Sequence, residues 1–267
     1  MLDVTRTIEH AVGAIDAAAE RREPFHHLQF AGIFPADVYA AMLDSMPAAG
    51  DYGAMSGRAS LARTAKGGSA RTKIDLFAEC MSHLPEEKTS IWTRVGAALR
   101  SHEVQEAFMR RLAPGLERRF GARYQAVRLY PIPTLMRDVP GYRIGIHSDT
   151  RWKGMTVQIY LPRDDSIAHV GTAFHRRNPD ASYQEALRMA FSPNTGYAFT
   201  VGSDTYHSVD RLGPEVKTRD SILLNYFVDD TWLQVAQNRC KRLGHYMRGL
   251  GWRREQPPSR EVSRPRR

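Results

Sequence analysis

The chain has 267 residues, 42% hydrophobic and 25% charged, the balance of a soluble globular protein that can bury a core without disulfide help. Its two cysteines, Cys80 and Cys240, exclude a disulfide framework and a zinc site; no apolar run reaches the roughly 18 residues of a membrane span, and the first residues carry no signal pattern, so a reducing, cytoplasmic setting is expected. The net charge of +9 invites a nucleic-acid partner, but seven arginines from Arg248 to Arg267 stand against only Glu255 and Glu261, which places most of the excess in a Pro- and Arg-rich tail and argues against a basic face on the folded part.

In chain order, Val4, Ile8, Val12 and Ile15 recur at helical spacing and predict an amphipathic helix within residues 2–20. A short apolar run at 30–34 leads to Pro35, which opens a second helix carrying Val38, Met42 and Leu43 and stopping by Pro47. Residues 48–72 alternate glycines with Arg58, Arg63, Lys66 and Arg71 and show no apolar face; this reads either as a surface loop or as a flap over a substrate. Residues 86–120 predict two helices broken near Ser101 and His102, with Trp92, Val95, Leu99, Phe108, Leu112 and Leu116 on the buried side.

After Gly121 the period changes from helix to strand. Strands are expected at 124–130 (ended by Pro131 and Pro133), 142–146, 155–161, 170–174, 197–201, 205–209 and 221–228, separated by turn signals such as Pro140-Gly141 and Gly202-Ser203-Asp204. A short helical insert is expected at 182–190, and a last helix at 229–250 before a disordered tail at 251–267. The predicted fold is α+β in one domain over 1–250: helical support from 1 to 120, then an antiparallel sandwich or barrel core from 121 to 228.

Chemistry concentrates in the second half. His147 and Asp149 are i and i+2 at a strand end, so both side chains can address one point. His207 sits in a later strand-like run, and 58 residues separate it from Asp149, enough for the chain to return to the same end of a barrel. Two neutral imidazoles and one carboxylate on one face suit iron(II), which keeps open positions opposite its ligands. Twelve residues on, Arg219 shares a strand face with Ser221, and a guanidinium with a nearby hydroxyl suits a carboxylate such as the distal one of 2-oxoglutarate. The competing readings are His147 on the surface with Asp149 as a turn carboxylate, and Arg219 paired with Asp220 or Glu215, with Lys217 as the cation if the register slips.

His147-Ser148-Asp149, His207 and Arg219-Asp220-Ser221 together resemble the 2-oxoglutarate/Fe(II)-dependent oxygenase superfamily over roughly residues 121–228. The resemblance implies a double-stranded β-helix, jelly-roll or cupin-like, with helices packed on its major sheet. It implies Fe(II) on His147, Asp149 and His207, 2-oxoglutarate on Arg219 and Ser221, and O₂ as the oxidant. Because Asp149 is a carboxylate rather than a small residue, hydroxylation is expected over halogenation, with desaturation or ring formation still open.

Arg128 and Tyr130 are further candidates for cosubstrate contact. Gln158 and Asn225 follow by alternation into the barrel, and Arg151, Trp152 and Arg71 are candidates for the substrate. His169 and His175 read as structural. The expected reaction is hydroxylation of an unactivated C–H of a small polar or anionic metabolite (an amino acid derivative, sugar acid or natural-product intermediate), with release of succinate and CO₂. Two alternatives stay open: an oxygenase acting on a macromolecule (nucleic acid, protein or surface glycan), and a non-catalytic cupin-like binding module. The expected partners are a small molecule and, as an open option, a second copy in a homodimer.

Overall fold

The computed structural model describes residues 2–55, 62–65 and 67–228. The expected helix at 229–250, the tail, and Arg58 and Lys66 of the glycine-rich stretch lie outside the described residues. None of the described helices is long and apolar enough to cross a membrane.

Among the described residues, five helices pack on the sheet: α1 (Val4–Asp16), α2 (Ala36–Asp44), α3 (Glu86–Leu99), α4 (His102–Arg111) and α5 (Ala113–Phe120). The Asp3 side chain caps α1 by accepting the Arg6 backbone N–H at 3.2 Å, and Ser101 caps α4 by accepting that of Val104 at 3.2 Å. The 86–120 region therefore breaks at Ser101, as its sequence suggests. It breaks again at Leu112, because Pro114 is tolerated only in a first helical turn, and this makes three helices instead of two.

The described residues also form twelve strands: β1 (Ala19–Arg21), β2 (His27–Ala31), β3 (Gly53–Ala54), β4 (Arg71–Asp75), β5 (Leu129–Asp138), β6 (Ile144–His147), β7 (Lys153–Tyr160), β8 (Ala173–Arg177), β9 (Tyr183–Arg188), β10 (Thr195–Thr200), β11 (Tyr206–Val209) and β12 (Arg219–Val228). The major sheet runs β1-β2-β10-β7-β12-β5-β4-β3 and the minor sheet β6-β11-β8-β9, with antiparallel pairing throughout. This is a double-stranded β-helix with helices on its major sheet.

Period-2 alternation divides the major sheet between two cores. Val157 and Ile159 of β7 and Ile222, Leu224 and Tyr226 of β12 join Trp92, Phe108 and Leu116 in the core under the helices. Tyr160, Tyr197 and Phe199 face the other way and pack with Tyr142, Phe174 and Phe191 between the two sheets. The same inward face therefore carries Arg219, Ser221 and Asn225 of β12 and Thr156 and Gln158 of β7. Burial on both faces explains why these strands lack exposed polar alternation.

Four further expectations need correction. Residues 124–126 form a single 3₁₀ turn, and the strand starts at Leu129 and runs through Pro131 and Pro133 to Asp138. The Pro133 carbonyl accepts Leu76 N–H at 2.9 Å on the side away from β12, so the missing proline N–H groups lie on that side and the β12 ladder is intact. The 182–190 insert is strand β9, paired with β8, because cross-strand pairing overrides the helical preference of Gln184, Glu185, Ala186 and Leu187. The strand placed at 170–174 is shifted to β8, with a 3₁₀ turn at Ala168–Val170 before it. In the 48–72 stretch, β3, the start of β4 and a bridge between Arg63 and Ser69 replace part of the structureless loop. The Pro140-Gly141 turn is as expected, with Gly141 at φ 95°, where a side chain would be strained.

Gly171 closes the strand β8 entry against a neighbouring segment. A Cβ there would stand 1.5 Å from the Met189 carbonyl oxygen, so backbone must move to admit one. Gly171→Ala is expected to cost about 3 kcal/mol and to lower the midpoint of thermal unfolding by roughly 6–12 °C, measured by calorimetry.

Candidate functional site

β11 pairs with β6 so that His207 lies directly opposite His147, and the two ring centroids are 4.4 Å apart. Asp149 follows two residues after His147. One ligand atom from each of the three side chains lies within 4.8 Å of the others. Both imidazoles are oriented in the same way: Nδ1 of His147 faces the Gly145 carbonyl at 2.9 Å, and Nδ1 of His207 faces that of Thr205 at 3.0 Å. A carbonyl can only accept, so Nδ1 carries a proton in each ring and Nε2 is the nitrogen turned toward the metal position. Burial, against the pull of Asp149, lowers the His207 pKa to about 4 and keeps the ring neutral.

Asp149 is held at both oxygens. Lys153 Nζ donates to Oδ1 at 2.7 Å and Thr156 Oγ1 to Oδ2 at 2.7 Å. Burial would raise its pKa, but Lys153 and His207 outweigh that and hold the carboxyl below the usual carboxylate range, ionised. Two imidazoles and one ionised carboxylate converging on a point fit a ferrous ion by ligand type and number. Sequence reasoning missed Lys153 and Thr156. The available signal was Thr156 sharing the inward face with Gln158 and Tyr160. Thr156→Val removes one support of the carboxylate with little change of shape and is expected to weaken Fe(II) affinity about 10–100-fold, read by competition with a chelator.

Arg219 is 1% exposed, at the far end of the same inward face. Its Nε donates to the Val170 carbonyl at 2.8 Å, Nη1 to Asp138 Oδ2 at 2.9 Å and Nη2 to Thr172 Oγ1 at 3.3 Å, with the Tyr160 and Phe191 rings beside it. It pairs with neither Asp220, which faces the other way onto Arg137 at 2.7 Å, nor Glu215, and Lys217 stays exposed. Ser221 is fully buried with an unpartnered Oγ, and Asn225 has an unpartnered, buried Oδ1.

The remaining candidates scatter. Arg71 is inside the barrel on Asp138 rather than on a surface loop. Tyr130, half-buried, lies at the end of β5 opposite to Asp138, and Arg128 is exposed beyond it. Gln158 Nε2 reaches the Ile222 carbonyl at 3.5 Å. Trp152, 63% exposed, and Arg151 occupy the turn after Asp149, where the Arg151 carbonyl accepts from Arg119 at 2.6 Å. A cavity of about 740 Å³ lies against Asp149 and is lined there by Ser148, Arg118, Arg119, Arg151 and Gly202. His175 bonds Ser208 at 2.8 Å and His169 is exposed; neither joins the triad.

No family model matches the sequence, and no curated protein matches it significantly. Solved structures do. A prolyl-4-hydroxylase from Pseudomonas putida superposes with a TM-score of 0.51 at 16% identity, over 82% of this chain and 98% of that one. A Trichoplax adhaerens prolyl hydroxylase, in complex with a hypoxia inducible factor peptide fragment, gives 0.49 at 11% identity over 85% and 91%. An oxidoreductase of the 2OG-Fe(II) oxygenase family from Burkholderia pseudomallei gives 0.44 at 13% over 83% and 89%. The first of these shows a common fold.

Proposed function

We propose that this chain is an Fe(II)- and 2-oxoglutarate-dependent dioxygenase that hydroxylates a C–H bond of a small polar or anionic metabolite. The observation that carries this reading is the convergence of two Nδ1-anchored imidazoles and an ionised carboxylate at one end of a barrel whose inward face holds a buried guanidinium further in.

His147, Asp149 and His207 would hold the metal, and Arg219 with Ser221 would hold the distal carboxylate of 2-oxoglutarate. Iron and 2-oxoglutarate, with O₂, supply the oxidising power, while the protein positions and shields. Lys153 and Thr156 fix the Asp149 carboxylate, and the backbone carbonyls of Gly145 and Thr205 fix the tautomers. The aromatic packing of Phe174, Tyr197 and Phe199 excludes water from the space between the sheets. The cavity beside Asp149 has the volume of a small-molecule site, and its lining sets Arg118, Arg119 and Arg151 against Asp149 and Asp204, with Arg118 paired to Asp204 at 3.0 Å, a net positive charge that suits an anionic group.

The test is succinate release from 2-oxoglutarate by the iron-loaded protein, screened against carboxylated metabolites with proline-containing peptides as a separate arm. Stimulation by a metabolite is the expected result. Stimulation by peptides alone would replace the substrate class, and no succinate under any condition would overturn the assignment.

A further inference from the structure

The guanidinium of Arg219 does not have Asp138 to itself. Arg71, the first residue of β4, donates to the same carboxylate through Nε at 2.5 Å and Nη2 at 2.7 Å, while Arg219 Nη1 takes Oδ2 at 2.9 Å. Asp138 is 0% exposed and Arg219 1%. Two guanidiniums on one carboxylate leave one positive charge uncompensated in a largely buried place, Arg71 being 9% exposed.

The nearby acids do not cancel it. On the same inward face Lys73 occupies Asp75 at 2.7 Å, and Asp149 is taken by Lys153. Asp220, on the opposite face, is taken by Arg137. A buried charge without a partner is costly, so a purely structural cluster would be expected to balance. This one carries an excess of one, next to two buried hydroxyls with no hydrogen-bond partner: Ser221 Oγ, two residues along from Arg219, and Tyr142 OH, whose ring lies 3.9 Å under the Arg71 guanidinium. Arg71 spends only one edge of its fork on Asp138, and Arg219 keeps a second N–H on each terminal nitrogen.

We propose that Arg71, Asp138 and Arg219 form a single anion receptor for the distal carboxylate of the cosubstrate, in which Asp138 neutralises one guanidinium and Arg71 supplies the excess charge that the carboxylate meets. This rests on the dioxygenase reading above. It assigns a cosubstrate role to β4, a strand at the outer side of the major sheet.

The decisive experiment counts charge. 2-Oxoglutarate is titrated calorimetrically into anaerobic, Fe(II)-loaded full-length protein. Arg71→Met brings the cluster to neutral and is expected to weaken binding about 30-fold or more. The double variant Arg71→Met/Asp138→Asn restores the single positive charge and is expected to return binding to within about 5-fold of the parent. A single variant that binds like the parent, or a double variant no better than the single, overturns the receptor. If Arg71→Met does not fold, Arg71→Gln, which also brings the cluster to neutral but can keep a hydrogen bond to Asp138, takes its place and is read by the same criteria. Arg219→Met separates the two readings: it removes binding if the dioxygenase assignment is right, whatever Arg71 does, and unchanged binding there refutes the anchor itself.

Discussion

His207→Ala is expected to abolish turnover and to weaken Fe(II) binding by more than about 100-fold. His207 sits directly across from His147 on the neighbouring strand, and its ring is pinned by the Thr205 carbonyl. The alanine leaves two ligands where three are needed to hold a ferrous ion on one face. The loss is local: β11 keeps its backbone pairing to β6 and β8, so far-UV circular dichroism should match the parent. Iron content and succinate release fall together. A variant that retains either at parental level removes His207 from the site.

Arg219→Met is expected to leave iron binding intact and to remove 2-oxoglutarate binding, a loss of about 100-fold or more. Its buried guanidinium is the charged group aligned with Ser221 on the inward face of β12. The methionine fills most of the volume but leaves the Val170 carbonyl and Asp138 each one donor short, so some loss of stability accompanies the binding defect. The two variants thus divide the site: one loses metal first, the other loses cosubstrate with metal retained.

The fold was largely readable where the chemistry is periodic. Val4, Ile8 and Val12 mark α1, and the β7 and β12 runs show as strands because Val157, Ile159, Ile222, Leu224 and Tyr226 alternate as apolar residues facing the helices. It was misread where tertiary pairing outweighs local preference. Gln184 to Leu187 favour a helix and become a strand edge because β8 offers a partner. Pro131 and Pro133 look like a strand stop, yet the strand continues because their missing donors face away from β12.

In the site, His147, Asp149 and His207 could be proposed from spacing alone, since i and i+2 on a strand share a face and a later strand must return to it. What spacing could not disclose was the company each residue keeps. Asp138 sits beside Arg137 in sequence but is bridged to Arg71 and Arg219, one 67 and the other 81 residues away, through strand order. Lys153 and Thr156 became neighbours of Asp149 only through the tight turn into β7.

The most direct measurement is anaerobic Fe(II) titration of the metal-free protein, with the bound metal counted after removal of excess. The account predicts one ferrous ion per chain, lost when either imidazole or the Asp149 carboxylate is replaced by alanine. Iron that binds equally well after Asp149→Ala, or that fails to bind the parent at all, would contradict it.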